Sequence, residues 1–409
     1  MPSVALAAES KPIVILTTFS ERSIAQLVER YQAQFPGTEI RVIFRRTQSA
    51  HRLLNKEDAQ NIDIIISSSP TLFNRLSNNE QLTALSQGRK VPDWLQPHVL
   101  DMSGKVSAFG YSGAGLMYNR QYLDSHHLSP PTSWEDLAQA RYYHHITMST
   151  PSRSGSTNLM VENILQYYGW EAGWRLLMQI GGNIAFISSR SFGVSEAVSK
   201  GLIGAGPVID SYGIRSRNRF AYIGFRYLPN AILMPAYIGL SRKSHALETS
   251  RRFVDFLLSQ PGQQFLETSS MAKQSLNQPE LALKTTFILD KEVVYNREPL
   301  IAQLFDQAIT HQLQELNSIW KTIHQLEANR SSLSVPHQQL LDEAKHLASR
   351  VPVTAAQAGD PAYLALFQNE RGKRMMDPAV TQELQQWKRA LAHNLRQANL
   401  LLDQLSPIN

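Results

Sequence analysis

Ile13-Val14-Ile15-Leu16-Thr17-Thr18-Phe19-Ser20-Glu21 carries the order of residue types that decides the fold. Four apolar residues in succession have the length of a strand buried on both faces, and a hydroxyl-rich turn follows. Ile24, Leu27, Val28, Tyr31 and Phe35 then repeat at helical spacing until Gly37 ends the pattern. Thr18 and Glu21 have the spacing of a capping box. Ile40 to Phe44 reads as a second strand by alternation. Ile62 to Ile66 reads as a third, running into Ser67-Ser68-Ser69-Pro70, where Ser69 can cap a helix and Pro70 suits its first position. Short buried strands alternating with helices predict an α/β unit with a largely parallel sheet and crossover helices.

The same grammar recurs downstream. Residues 106 to 119 (VSAFGYSGAGLMYN) are extended and glycine-rich, and Pro131-Thr132-Ser133-Trp134-Glu135-Asp136-Leu137 leads into a capped helix. A second α/β unit holds a strand His145 to Ser149, the loop Thr150 to Ser156, a helix with Trp170 and Trp174, the segment Ile184 to Ile187, a helix closed by Gly201, and the strand Ala205 to Ile209. Residues 225 to 241 are again extended, and a helix over Leu247 to Leu258 is stopped by Pro261. Two extended crossings that enclose one α/β unit within another predict a two-lobed clamp with double hinge strands. Lobe 1 is then 12–108 with 232–289, and lobe 2 is 109–231.

All but two of the 21 glycines fall at or before Gly262, and beyond about residue 290 the pattern is helical only. Leu300, Ile301, Leu304, Ala308, Leu313, Leu316, Trp320, Ile323 and Leu326 form one amphipathic stripe. Asp360-Pro361 and Asp377-Pro378 read as starts of further helices. This all-helical extension, 290–409, is expected to brace lobe 1 or to dock on a partner protein.

Composition narrows the class. A chain of 409 residues with 43% hydrophobic and 18% charged residues has ample core for two or three units. No apolar run approaches the roughly 20 residues of a membrane span, so stable membrane insertion is not expected. The formal charge of +6 favours acidic partners weakly. Its basic residues are scattered, as on a solvated surface rather than a nucleic-acid stripe, so no nucleic-acid partner is expected. The absence of cysteine removes disulfides, thiolate metal sites and cysteine nucleophiles. Met1 to Ser10 reads MPSVALAAES, and Ala5-Leu6-Ala7 has the small-x-small form of a signal-peptidase site. With neither a basic n-region nor a full apolar stretch, residues 1–11 read as a remnant of an export signal or a disordered terminus.

Four hydroxyl-rich loops stand between a strand and a helix start: Thr17 to Ser20, Ser67 to Ser69, Ser152 to Thr157 and Ser188 to Ser191. A helix N-terminus presents unpaired N–H groups and positive partial charge, and hydroxyls add donors, so such loops suit a phosphate or carboxylate. Thr17, Thr18, Ser20, Ser68, Ser69, Ser154, Gly155, Ser156 and Ser189 are the candidate donors. Arg153 and Asp210 are the candidates for selecting what the anion is attached to. A structural reading competes at every position, because serine and threonine at helix starts are ordinary caps and Asp210 can be a buried structural acid. No HExxH, no Gly-x-Ser-x-Gly elbow and no paired-carboxylate pattern supports catalysis, so an enzyme is not expected. His126-His127 and His144-His145 read as surface or packing residues.

Gly110-Tyr111-Ser112-Gly113-Ala114-Gly115-Leu116-Met117-Tyr118-Asn119, the run at 131–137, Ser149-Thr150-Pro151-Ser152-Arg153-Ser154-Gly155-Ser156 and Phe253 to Gln263 together resemble the extracytoplasmic solute-binding proteins. The resemblance is to the cluster serving ferric iron, aminophosphonates and sugar phosphates. It implies a type II periplasmic-binding-protein clamp over roughly residues 12–285, hinge closure on a ligand, and a periplasmic location. Ferric-binding members use a tyrosine pair in the segment that here reads Ala205 to Tyr212, and the second tyrosine is missing. The Val208-Ile209-Asp210 form resembles the branch that binds phosphorylated metabolites. Regulatory members of that branch imply phosphoglycerate or phosphoenolpyruvate as ligand, and a membrane sensor kinase system that induces phosphoglycerate uptake as partner. The alternative is the binding subunit of an ABC importer for sugar phosphate, phosphonate or ferric iron, with an ABC permease as partner. No cofactor and no resident metal site is implied.

Overall fold

The computed structural model describes residues 12–55, 61–85, 91–100, 104–269, 271, 273–279, 281, 287–368 and 377–405. The export-signal reading of residues 1–11 lies outside them. Ten strands are described: β1 (Ile13–Thr17), β2 (Ile40–Phe44), β3 (Ile64–Ser67), β4 (Leu82–Thr83), β5 (Val106–Asn119), β6 (Ile146–Ser149), β7 (Ile184–Ser188), β8 (Ala205–Ile209), β9 (Ile223–Tyr227) and β10 (Leu233–Ser241). The chain forms two compact units, Met1–Ser112 with Met234–Lys284 and Gly113–Leu233 with Thr285–Asn409. It passes from the first unit to the second within β5 and returns at the start of β10.

In the first unit β2, β1, β3 and β10 are neighbours in that order. β1 runs parallel to β2 and β3, while β10 is antiparallel to β3. β1 is buried along its whole length, as its unbroken apolar run requires. The helix Glu21–Gln34 turns Ile24, Leu27, Val28 and Tyr31 onto the sheet, where they join Phe253 and Phe256 of the helix Leu247–Leu258 in one core. Asp63 is buried, and its carboxylate accepts from Val14 N (2.8 Å), Ser244 Oγ (2.6 Å), His245 N (2.9 Å) and Ala246 N (3.2 Å). It thereby ties β1 to the residues that lead into the Leu247–Leu258 helix. Pro261 ends nothing further on: it sits in the first turn of a new helix, Gln260–Thr268.

In the second unit the neighbours are β5, β8, β6 and β7, with β9 beside β5. β6 is parallel to β7 and β8, and β5 is antiparallel to β8 and β9. The tryptophan-bearing region is two helices, Gly155–Tyr168 and Trp170–Asn183. They part at Gly169, whose φ of +84° suits a residue without Cβ.

The helical extension is where the sequence reading needs correction. Of the two expectations for it, the brace on lobe 1 is overturned: it packs within the second unit, on the helices Gly155–Tyr168 and Trp170–Asn183. Its single expected stripe is also divided, into Lys291–Phe305, a π-helical turn Asp306–Thr310, and Leu313–Ala328. The helix Val335–Ser349 was not foreseen, whereas Asp377 caps Pro378–Asp403 as its sequence predicts. The docking is decided by two glycines: a Cβ on Gly182 would stand 2.3 Å from the Trp320 ring, and one on Gly181 would stand 3.0 Å from Leu316. Asn317 Nδ2 lies at the same junction and donates to the carbonyls of Gly181 (3.3 Å), Gly182 (2.8 Å) and Ile184 (3.1 Å). Among the described residues no helix is long and apolar enough to cross a membrane.

The junction also contains a titratable lock. Asn183 Nδ2 donates to Leu137 O and Gln139 O, both at 2.9 Å, which turns Asn183 Oδ1 toward His324 Nε2 at 2.8 Å. Burial and the Lys345 ammonium hold the His324 pKa below its ordinary 6.5, against an opposing pull from Glu327. His145 is lowered too, by burial and by His126 and His144. Depressed folded pKa values mean that these histidines contribute stability above pH 6.5, which is lost as pH falls through the folded values. Urea midpoints are therefore expected to fall between about pH 7 and pH 5. His324→Gln should flatten that slope, and an unchanged slope would show that His324 does not contribute.

Candidate functional site

Parallel pairing brings the serine loops to sheet edges. Thr17 is opposite Phe44 in β2 and Ile66 in β3, so the three strands finish together and their following loops share the carboxyl edge. Thr17, Thr18, Ser20, Ser68 and Ser69 all lie along it, and Arg45 and Arg46 follow β2 onto the same edge. In the second unit Ser149 is opposite Ser188 and β8 runs parallel to β6. Arg153, Ser154, Gly155, Ser156, Ser189 and Asp210 therefore follow strand ends on a common edge of that unit.

Atomic partners separate the candidates. Thr17 is fully buried and its hydroxyl accepts from Phe19 N at 3.0 Å, so it shapes the turn. Ser20 caps the Glu21–Gln34 helix by accepting from Ser23 N, and no capping box forms between Thr18 and Glu21. Thr18 is taken instead by Ser67, with the two hydroxyl oxygens 2.8 Å apart. Ser69 caps Pro70–Asn78 by accepting from Leu72 N at 3.2 Å. Ser68 is different: half-buried, it has a hydroxyl with no hydrogen-bond partner among the described residues. A sheltered hydroxyl left unpaired on this edge is what a ligand oxygen would satisfy.

Ser154 caps Gly155–Tyr168 by accepting from Thr157 N (3.2 Å) and Thr157 Oγ1 (2.9 Å). Ser149 Oγ is 2.5 Å from Thr157 Oγ1, and since Thr157 spends its proton on Ser154, Ser149 donates. The relay ends at Ser154, whose own proton remains for Ser156 Oγ at 3.1 Å or for an anion. A capping serine thus keeps a donor. Arg153 and Ser189 are exposed. The helix Ser191–Ser199 starts at Arg190 without a side-chain cap, and Ser188 Oγ stands 2.4 Å from where a Cβ on Gly193 would be.

Asp210 is fully buried, and its Oδ2 accepts from Gly113 N at 2.9 Å and Tyr227 Oη at 3.2 Å. That carboxylate joins β5, β8 and β9, so structural bonds accompany any ligand role. Burial pushes the Tyr212 phenol above its ordinary pKa, and Ser191 is its hydrogen-bond partner.

One charged group was missed from the sequence. Lys273 is buried, donates to the fully buried Ser112 Oγ at 2.7 Å, and places its ammonium 5.0 Å from the centre of the Phe19 ring. A cation is thereby held beside the Thr17–Ser20 turn, 253 positions away from Ser20 in the chain (273 − 20). Nothing in the local run Ala272-Lys273-Gln274-Ser275 marks it.

Residues 59–297 match the family model described as bacterial extracellular solute-binding protein. The chain belongs to that family. Members of the family work outside the cytoplasm, and their business is binding solutes. Over 407 residues this member is 33% identical to the phosphoglycerate transport regulatory protein PgtC of Salmonella typhimurium, covering 97% of this chain and 98% of the relative. Among solved structures it is similar to the periplasmic binding protein AfuA from Actinobacillus pleuropneumoniae, with exogenous fructose-6-phosphate bound. That match has a TM-score of 0.62 at 14% identity and covers 73% of this chain and 98% of AfuA. Iron-bound HitA from Pseudomonas aeruginosa matches with a TM-score of 0.55 at 15% identity, over 68% of this chain and 88% of HitA. The fold is that of type II periplasmic binding proteins, with a helical C-terminal region.

Ser154→Ala and Ser68→Ala should separate capping from binding. Ser154→Ala is expected to lose about 1 kcal/mol of stability with its cap, read from urea unfolding, and Ser68→Ala to leave the midpoint nearly unchanged. Both should weaken binding of a phosphorylated ligand in calorimetry, and unchanged affinity would remove that residue from the site.

Proposed function

We propose that this protein is a periplasmic receptor that binds a small phosphorylated metabolite, phosphoglycerate or phosphoenolpyruvate, without transforming it, and signals occupancy to a membrane sensor kinase system that induces phosphoglycerate uptake. The observation that carries this reading is the end-to-end correspondence with the regulatory relative, helical extension included. AfuA, matched along nearly its whole length, leaves about a quarter of this chain unmatched. An importer subunit needs only the ligand-binding units, so the shared extra region favours signalling.

The chemistry of each edge, taken by itself, suits an anion. Ser68 and the Lys273 ammonium in the first unit, and Ser154, Ser156 and helix N-terminal amides in the second, are suited to phosphate oxygens, and each charge-assisted hydrogen bond contributes roughly 1.5 to 3 kcal/mol. Ligand binding of this kind shifts the population of a hinged protein toward its closed form. A thermal-shift panel tests the assignment, because only ligands that bind the native state tightly raise the melting temperature. 3-Phosphoglycerate, 2-phosphoglycerate or phosphoenolpyruvate is expected to give a clear rise and fructose 6-phosphate and ferric citrate little. A rise confined to ferric citrate or to the hexose phosphate would replace this reading with the importer alternative.

A groove in the second unit supports the partner reading. A cavity of about 720 Å³ has Trp170, Trp174 and Val353 in its lining and is bordered by Arg175, Arg350 and Arg389. All three arginines are exposed, and none pairs with a carboxylate among the described residues. Its chemistry fits an acidic segment of the partner, attracted by the three exposed guanidinium groups. Deleting the extension would uncover Gly181 and Gly182, so charge reversal is the cleaner probe. Arg350→Glu with Arg389→Glu is expected to keep ligand affinity and to abolish induction of uptake. Intact induction would clear this groove of a docking role.

A further inference from the structure

The helix Gly155–Tyr168, which begins at the ligand loop, is gripped along one face by the extension. Asn158, Glu162 and Gln166 are four residues apart and so share a face. Asn158 Nδ2 donates to Glu298 O at 3.1 Å, Arg297 forms an ion pair with the buried Glu162, and Gln166 exchanges bonds with Asp290, accepting from its N–H at 2.8 Å and donating to its carbonyl at 3.3 Å. Partner numbers fall as these positions rise, so the two helices run antiparallel. One further step leads to the loop itself. Thr150 Oγ1 donates to Asp306 Oδ1 at 2.5 Å, and Asp306 opens the π-helical turn that divides the extension.

A carboxylate can only accept, so the single Thr150 proton is committed to Asp306. The lone pairs of Thr150 Oγ1 then receive Ser152 N at 3.3 Å and face Ser152 Oγ at 3.0 Å, which must donate. Thr310 Oγ1 donates to the same Asp306 oxygen at 2.9 Å, holding the carboxylate in place. The Thr150–Ser152 turn is thus fixed in shape and in proton direction by a group outside the ligand-binding sequence. The hydroxyls left to face a ligand are those of Ser154 and Ser156. π-helical turns within α-helices recur where a side chain has a functional task.

We infer that Asp306 is a positioning residue through which the helical extension sets the ligand loop and registers its occupancy. This rests on the reading of Thr150–Ser156 as a ligand-binding edge. By linkage, if Asp306 favours the binding-competent loop, bound ligand favours the Asp306 turn by the same factor.

Calorimetry with 3-phosphoglycerate on the wild type, Thr150→Val, Asp306→Asn and the double variant tests the link, with hydrogen exchange as a second readout. Each single change is expected to weaken affinity at least fivefold, the double variant to be no weaker than the worse single, and Thr150→Ser to bind as the wild type does. Ligand should slow exchange over Leu304–Leu313 in the wild type but not in Asp306→Asn, with the melting temperature of the free protein little altered. Wild-type affinity in Asp306→Asn, or effects that multiply in the double variant, would overturn the coupling. If the wild type binds neither 3-phosphoglycerate nor another phosphorylated member of the panel, the site assignment itself fails and the coupling falls with it.

Discussion

Parallel pairing of short strands in fixed register is the constraint on which the candidate site depends. Thr17, Phe44 and Ile66 are aligned across three strands, so each following turn is delivered to the same edge whatever its own sequence. Every helix that begins there brings unpaired amides with it. Side-chain caps absorb some of these, as Ser20, Ser69 and Ser154 show, but a hydroxyl that accepts from its helix still has a proton to give. The cap thus uses the oxygen of the O–H group and leaves its proton for another acceptor. Serine is therefore able to cap a helix and still offer a donor on the edge, which alanine could not do.

The second unit carries an added constraint. Gly181 and Gly182 remove the side chains that would otherwise hold the Leu313–Ala328 helix away, and Asn317 satisfies the carbonyls exposed at that close approach. Farther along, burial pushes the Glu162 carboxyl up while Arg297 pulls it down. Removing either partner would leave an uncompensated buried charge, which is costly. Apolar packing, backbone satisfaction and a buried ion pair thus unite the extension with the helix that follows the Thr150–Ser156 loop. A region fixed this closely to the loop is able to transmit its state, which a loosely tethered tail could not do.

Local chemistry made part of this legible. Ser69-Pro70 and Asp377-Pro378 begin helices where their residue types require it, because an N-cap is satisfied by amides two or three positions away. The Thr18 and Glu21 box failed for the complementary reason: Ser67, on another strand, took the Thr18 hydroxyl and left the cap to Ser20. Asp63, Lys273 and Asp306 were invisible as functional or organising residues, since each acts on groups far away in sequence. An isolated acid or lysine in a polar run carries no mark of its eventual partner.

By itself the sequence determined the alternating α/β grammar, the two extended crossings, the hydroxyl loops at strand ends and the helical character of everything beyond residue 290. These follow from periodicity and turn chemistry, which act over a few residues. Tertiary structure alone decided which unit receives the extension, which hydroxyl of the Thr17–Ser20 turn is left to cap, and where Lys273 and Asp306 deliver their charges. An amphipathic stripe fits any apolar surface, and a charge seeks any suitable partner, so those choices are settled only when distant segments compete for the same space.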